Sequence, residues 1–223
     1  MTTTPQSAYD AVAGARLRTR TLLTAAVSAG PFFYVSSAVQ ALTRPGFDIR
    51  IHPLSQLATG DLGWVQQVTF VLAGLGAVAL AVAHRRLVTA GAGSRIAPIL
   101  LSTFGAGFVI AGLFTMDPQN GFPIGAPTGS VEMSWHSVVH TAAAAASFLA
   151  LAGACIALLV RSIRRRQFWI STGNGLVALA LLVPVSPTGS SIQIAVTGLI
   201  AFTWVSVCAL RLRRHTYTDP TGY

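Results

Sequence analysis

The stretch FTMDPQNGFPIGAPTGSVEMSWHSVVH, residues 114–140, sets two acids, two histidines and a scatter of prolines and glycines between two long apolar runs. Asp117-Pro118 makes it difficult for the preceding apolar run to continue as a helix. Past the turn residues, Glu132, His136 and His140 recur at i, i+4 and i+8, so a helix starting near Ser130 would carry them as one stripe. The surrounding chain reads as a scaffold that holds this stretch at the end of two helices.

Composition supports the same reading. The chain has 223 residues, 52% of them hydrophobic and only 9% charged, with a mean hydropathy of +0.62. These values point to an all-α, polytopic membrane protein rather than a soluble domain. Every basic residue is arginine, and the net charge is +9. The arginines stand in short clusters beside apolar runs, the pattern of the positive-inside rule, so nucleic acid is not an expected partner.

Six transmembrane helices are predicted, over about 21–42, 64–83, 96–114, 132 or 136 to 160, 168–185 and 190–210. They make one transmembrane domain over 16–214, with a mobile tail at 1–15 and a short polar tail at 215–223. Apolar residues continue past the length of a typical signal segment near Val39-Gln40-Ala41, so the first helix is expected to stay uncleaved. Arg16, Arg18, Arg20, Arg85, Arg86, Arg95, Arg161, Arg164, Arg165, Arg166, Arg211, Arg213 and Arg214 all fall on one side, with Arg44 and Arg50 opposite. That distribution puts both termini in the cytoplasm. It also sends Asp48, Asp61, Asp117, Glu132, His52 and His136 to the outer end, near two long loops over 43–63 and 115–131. Gly74 and Gly76 in the second span, and Gly105, Gly107 and Gly112 in the third, allow close helix approach. Cys155 and Cys208 lie inside apolar segments without a CxxC partner, and read as packed thiols rather than a disulfide or metal site.

Three places in the chain resemble a bacterial six-helix membrane family known only as domain of unknown function 998. They are His52-Pro53-Leu54-Ser55 with the Gly60–Trp64 run, Asp117-Pro118, and the segment from His136 to His140. Ser137 stands where that family would be expected to have glycine. The resemblance implies the fold and location in the bacterial cytoplasmic membrane, and no chemistry. A looser similarity, in size, helix number and acids at helix ends, is to small bacterial membrane-bound terpene cyclases.

The polar constellation admits three functions. In the first, an outward-facing pocket holds a lipophilic substrate, isoprenoid or terpenoid in class, and a carboxyl kept protonated by apolar surroundings delivers a proton to it. Asp117 would be that acid, with Glu132 partnering His136, and His140 completing the catalytic set. His52, Trp64, Phe104, Phe108, Phe122 and Trp135 would line the pocket and stabilise developing positive charge by cation–π attraction. This chemistry needs no cofactor and no metal, and a prenyltransferase acting upstream would supply its substrate. The second reading is a small transporter or an interaction protein, with Gln40, Gln66, Gln67, Asn174 and Gln193 lining a polar route or bonding helices together. The third is a zinc-dependent lipid hydrolase built on His136 and His140 with a third ligand from Asp117, Glu132 or His52. Each residue also has a purely structural use. Asp117 would form an Asp-Pro turn, Glu132 would favour a helix N-terminus, and the aromatics would sit in the interfacial belt.

Overall fold

The computed structural model describes residues 5–185 and 190–218, with side-chain surroundings from 14 to 214 within those ranges. Six helices account for about three quarters of it: α1 (Pro5–Thr43), α2 (Gly63–Leu87), α3 (Ile96–Leu113), α4 (Trp135–Arg164), α5 (Phe168–Leu182) and α6 (Ser190–Thr218). All but α5 are long and apolar enough to cross a membrane. The chain is therefore an all-helical, multi-pass membrane protein.

Three boundaries differ from the sequence reading. Helix α1 is described from Pro5, so the expected tail residues 5–15 are helical and extend the first helix. Helix α5 stops at Leu182 after 15 residues, about 22 Å against a core of about 30 Å. Pro184 accounts for that stop, because it pushes Val183 into the extended backbone observed there. Helix α6 continues to Thr218. The link between the fifth and sixth expected helices, 186–189, and the last residues of the C-terminal tail, 219–223, lie outside the described residues.

Neighbouring helices pack in chain order from α1 to α5, and α6 returns to pack on α1, while α5 and α6 touch only lightly. Lipid gives no hydrophobic drive to such contacts, so close approach and internal hydrogen bonds hold the bundle. At the α2–α3 crossing, a Cβ on Gly74 would lie 2.5 Å from the Gly105 carbonyl oxygen, and one on Gly105 would lie 2.5 Å from the Gly74 oxygen. Only two glycines let these backbones meet at that distance. Between α1 and α2, Gln40 Nε2 donates to Gln66 Oε1 at 2.7 Å, and the hydroxyls of Ser36 and Thr69 bond at 2.7 Å. Between α5 and α6, Trp204 Nε1 donates to Asn174 Oδ1 at 3.0 Å. Gln40, Gln66 and Asn174 thus act as staples between helices. Gln67 donates to the Ala58 carbonyl and Gln193 to the Pro184 carbonyl.

Aromatic rings fill the centre. Phe33 stacks on Phe202 with centroids 5.1 Å apart. Phe108 meets Phe202 edge-on at 4.9 Å and Phe104 at 5.0 Å. The cluster draws on α1, α3 and α6, three elements far apart in the chain.

Candidate functional site

The loops joining α1 to α2 and α3 to α4 fold against each other at the end away from the arginine clusters and form a cap. Residues 119–122 make its tip. Asn120 and Gly121 both have positive φ, 56° and 80°, and Gln119 and Phe122 exchange backbone hydrogen bonds of 3.3 and 3.1 Å. An Asn-Gly pair is suited to this geometry because both residues tolerate the left-handed region.

His52 locks the tip to the first loop. Its Nδ1 accepts the Asp48 N–H at 2.9 Å, and its Nε2 reaches the Asn120 carbonyl at 2.9 Å. A carbonyl only accepts, so the network assigns the proton to Nε2, and both ring nitrogens are used. The ring packs between Phe47 and Phe122, at 5.5 and 5.4 Å. Gln56 Nε2 donates to the Gln119 carbonyl, and the Ser55 hydroxyl donates to Met116 Sδ at 2.8 Å. Arg44 lies with its guanidinium carbon 4.8 Å from the Phe122 centroid and donates to the carbonyls of Leu57 and Thr59. Burial lowers the Arg44 pKa from its ordinary value, and the charge of Asp61 acts in the opposite direction. At the surface, Asp48 pairs with Arg50 at 2.6 Å, and that hydrogen bonding pushes its carboxyl down to about 2.

Asp117 has a different role from the protonated acid expected of it. Its two oxygens accept from Ser134, one from the backbone N–H at 2.7 Å and one from the hydroxyl at 2.6 Å. Those bonds hold its pKa below the ordinary carboxylate value, Ser134 contributing most and the charge of His136 adding to it. Hydrogen bonds to the charged form outweigh desolvation here, the reverse of the condition a stored proton needs. Ser134 is also the N-cap of α4, accepting the Ser137 N–H at 3.4 Å. The carboxylate therefore ties the end of α3 to the start of α4, and the loop between them folds back on itself. Because the helix starts at Trp135 and not near Ser130, Glu132 precedes it, exposed and off the expected stripe. His136 is exposed as well, its ring 3.7 Å from that of Trp135.

Below the cap lies a cavity of about 60 Å³. Phe33, Tyr34, Phe70, Phe108, Phe148 and Phe202 form most of its wall, and Leu54 and Ser55 of the cap close it. His140 is the one imidazole in this largely apolar wall, to which Tyr34 and Ser55 also bring hydroxyls. It is only 4% exposed, and its Nδ1 lies 2.7 Å from the Ala111 carbonyl and 2.9 Å from that of Phe114. Two acceptors at Nδ1 place the proton there, so the neutral ring carries its lone pair on Nε2. These carbonyls belong to the last turn of α3, where helical partners run out. Nε2 has no hydrogen-bond partner among the described residues, yet it is not sealed among the buried unpartnered atoms. Phe70 meets the ring edge-on at 5.8 Å.

A family model described as a protein of unknown function, DUF998, matches residues 27–213, from within α1 to within α6, and takes in both cap loops. The chain belongs to the DUF998 family. No curated protein and no solved structure matches it.

Within this DUF998 chain the expected site residues separate. His140 and Phe108 meet at the cavity. His52 and Phe122 are buried inside the cap, and Phe104 is buried in the aromatic core. Trp64 and Trp135 are 61% and 63% exposed, as belt residues are. Asp117 and His136 come close to one another at the start of α4, away from the cavity wall. Among the described residues, no three of His, Cys, Asp and Glu converge as metal ligands would, so the third ligand of the zinc reading has no place in this geometry. Sequence reasoning missed Phe33, Tyr34, Phe70, Phe148 and Phe202. The Phe-Phe-Tyr run at 32–34 was the available signal, though nothing in it says which ring turns inward.

Proposed function

We propose that this DUF998 protein sits in a bacterial cytoplasmic membrane with its cap outside, and takes a lipophilic molecule bearing a hydroxyl or protonated carboxyl into the aromatic chamber. The observation that carries the reading is the pairing of an apolar cavity with one histidine nitrogen left without a partner. His140 Nδ1–H is fixed by the carbonyls of Ala111 and Phe114, so the ring cannot turn freely. Its Nε2 lone pair is then an oriented acceptor for an O–H group, and such contacts are worth about 1 kcal/mol net. The space of about 60 Å³ holds a short part of a chain. A larger ligand requires the cap to shift, since drug-sized sites run to ~300–1,000 Å³.

Two observations weigh against the acid-assisted, cyclase-like conversion of an isoprenoid. Asp117 is held as a carboxylate by Ser134, and the chamber is several times too small for a folded isoprenoid. Against a polar transport route, Gln40, Gln66 and Asn174 bond helices to each other.

Photo-crosslinking of purified protein in detergent tests the reading, with a medium-chain alcohol and the matching alkane, each carrying a diazirine. The alcohol should label the 33–34, 140–148 and 194–202 segments, and His140→Phe should weaken its binding by about fivefold while leaving the alkane unchanged. Ala144→Trp, which fills the chamber, should abolish both. Labelling spread evenly over the lipid-facing surface, or alcohol binding indifferent to His140→Phe and Ala144→Trp, would refute it.

A further inference from the structure

A second cavity, at the opposite end of the molecule, is unrelated to the chamber. It is an open groove of about 670 Å³ on the outer face of the α2–α3 hairpin. Arg85, Arg86 and Arg95 stand at its mouth, and Ala81, Val82, Pro98 and Ile99 form an apolar floor running toward Ser102 and Thr103. All three arginines are exposed. Arg86 has one distant partner, the Thr19 hydroxyl at 3.5 Å. Arg85 and Arg95 have no polar partner among the described residues. The carboxylates whose surroundings are described, Asp48, Asp61, Asp117 and Glu132, all belong to the cap end, so none neutralises this cluster.

We propose that the groove is a binding site for one anionic phospholipid of the cytoplasmic leaflet. Its phosphate would sit among Arg85, Arg86 and Arg95, and the upper part of an acyl chain would lie along Val82 and Ile99. Charge and shape select this occupant together. Three guanidiniums gather on one hydrogen-bonding anion, and an apolar trough leads from them toward the membrane centre. From Arg95 to Thr103 the groove follows α3 for about 12 Å at ~1.5 Å per residue, the reach of a headgroup junction and the first carbons of a chain. Basic pockets between helices on the cytoplasmic side recognise anionic headgroups in this way. Two other grooves at this end each hold a single arginine, Arg211 between α5 and α6 and Arg166 between α4 and α5, and lack the cluster.

Native mass spectrometry of the full chain, after exchange into mixed phosphatidylglycerol and phosphatidylcholine micelles, reads the bound lipids directly. One phosphatidylglycerol is expected to stay bound in preference to phosphatidylcholine. Replacing Arg85, Arg86 and Arg95 together by Gln should weaken that binding by about 100-fold, at roughly fivefold per arginine. The pair Arg164→Gln and Arg165→Gln removes charge from the same end outside the groove and should leave the bound lipid in place. Ser102→Trp fills the trough without touching charge, and should also release the lipid; it keeps the test decisive if loss of the arginines disturbs insertion. Equal loss in the Arg164 and Arg165 control would reduce the effect to general surface charge and overturn the proposal. So would retention in Ser102→Trp, or displacement of the lipid by millimolar inorganic phosphate alone.

Discussion

Phe122→Ala should open the cap while leaving the bundle intact. Phe122 is 1% exposed, and it packs on Phe47 at 5.3 Å, on His52 at 5.4 Å and under Arg44 at 4.8 Å. It is the one side chain of the second loop on which Phe47, His52 and Arg44 of the first loop all pack. The cap faces water, so burial there draws on the hydrophobic effect, whereas the helices below pack in lipid without it. Truncating a buried Phe costs ~3–5 kcal/mol in a well-packed interior. Taking about 3 kcal/mol for a small cap that partly collapses, the opening equilibrium shifts by over a hundredfold. Hydrogen exchange read by mass spectrometry in detergent should show that gain in residues 44–62 and 117–131, with α2 and α3 amides near Gly74 and Gly105 unchanged. An equal rise throughout the helices would mean that the cap and bundle unfold as one unit. No rise in the loops would mean that Phe122 does not hold them. Either result refutes the reasoning.

Three further outcomes follow from single contacts. Gly105→Ala puts a Cβ 2.5 Å from a backbone oxygen of α2, so it should lower stability by ~1–3 kcal/mol. Thermal melting in detergent should show the shift, and Gly173→Ala, which meets nothing within 4 Å, should leave the melt unchanged. Asp117 titrates below its ordinary value of about 3.9 when folded. Its contribution is therefore complete above that value and lost as pH falls through the folded one. Melting curves from pH 7 downward should steepen in the acid range for the wild type and flatten for Asp117→Asn; an identical acid limb in the two would contradict the Ser134 tether. Arg44→Lys keeps the charge but cannot reach the Leu57 and Thr59 carbonyls together. It should raise loop exchange in the same segments as Phe122→Ala, by about tenfold.

The helices were legible because each is an apolar run closed by arginines or turn residues, two signals that membrane insertion makes unambiguous. Their ends were less so. Two serines, Ser130 and Ser134, compete for the N-cap of α4. Asp117 decides for Ser134 by accepting its N–H and hydroxyl, a contact across 17 positions that no local pattern encodes. Likewise, Pro184 stands inside an apolar run that reads as continuing helix, and only the backbone shows it pushing Val183 into the extended region. The site was partly legible. His140 stood out as an ionisable residue within a span, where such groups are costly. The rings that surround it did not, because in a membrane helix the lipid-facing and core-facing sides are equally apolar. Periodicity marks a buried face only where the other face meets water, so Phe33, Phe70, Phe148 and Phe202 could not be told from outward-facing neighbours such as Phe32.

Two of the buried histidines, His52 and His140, divide the cap half of the molecule into a latch and a candidate site. His52 carries its proton on Nε2 and uses both nitrogens to join the loops, so nothing remains for a ligand. His140 carries its proton on Nδ1, anchors that edge to the end of α3, and keeps Nε2 unpartnered on a ring that lines the chamber. Identical side chains, both nearly fully buried, thus have opposite tautomers because one faces backbone on both edges and the other on one. The latch and the site are also mechanically joined. Leu54 and Ser55, which close the chamber, belong to the loop that His52 and Arg44 hold against the tip at Phe122, and Ser55 itself bonds Met116 of the other loop. A ligand that outgrows 60 Å³ therefore cannot displace Leu54 alone. It has to move both loops as a body, and access to His140 is governed by the stability of the cap rather than by the chamber wall.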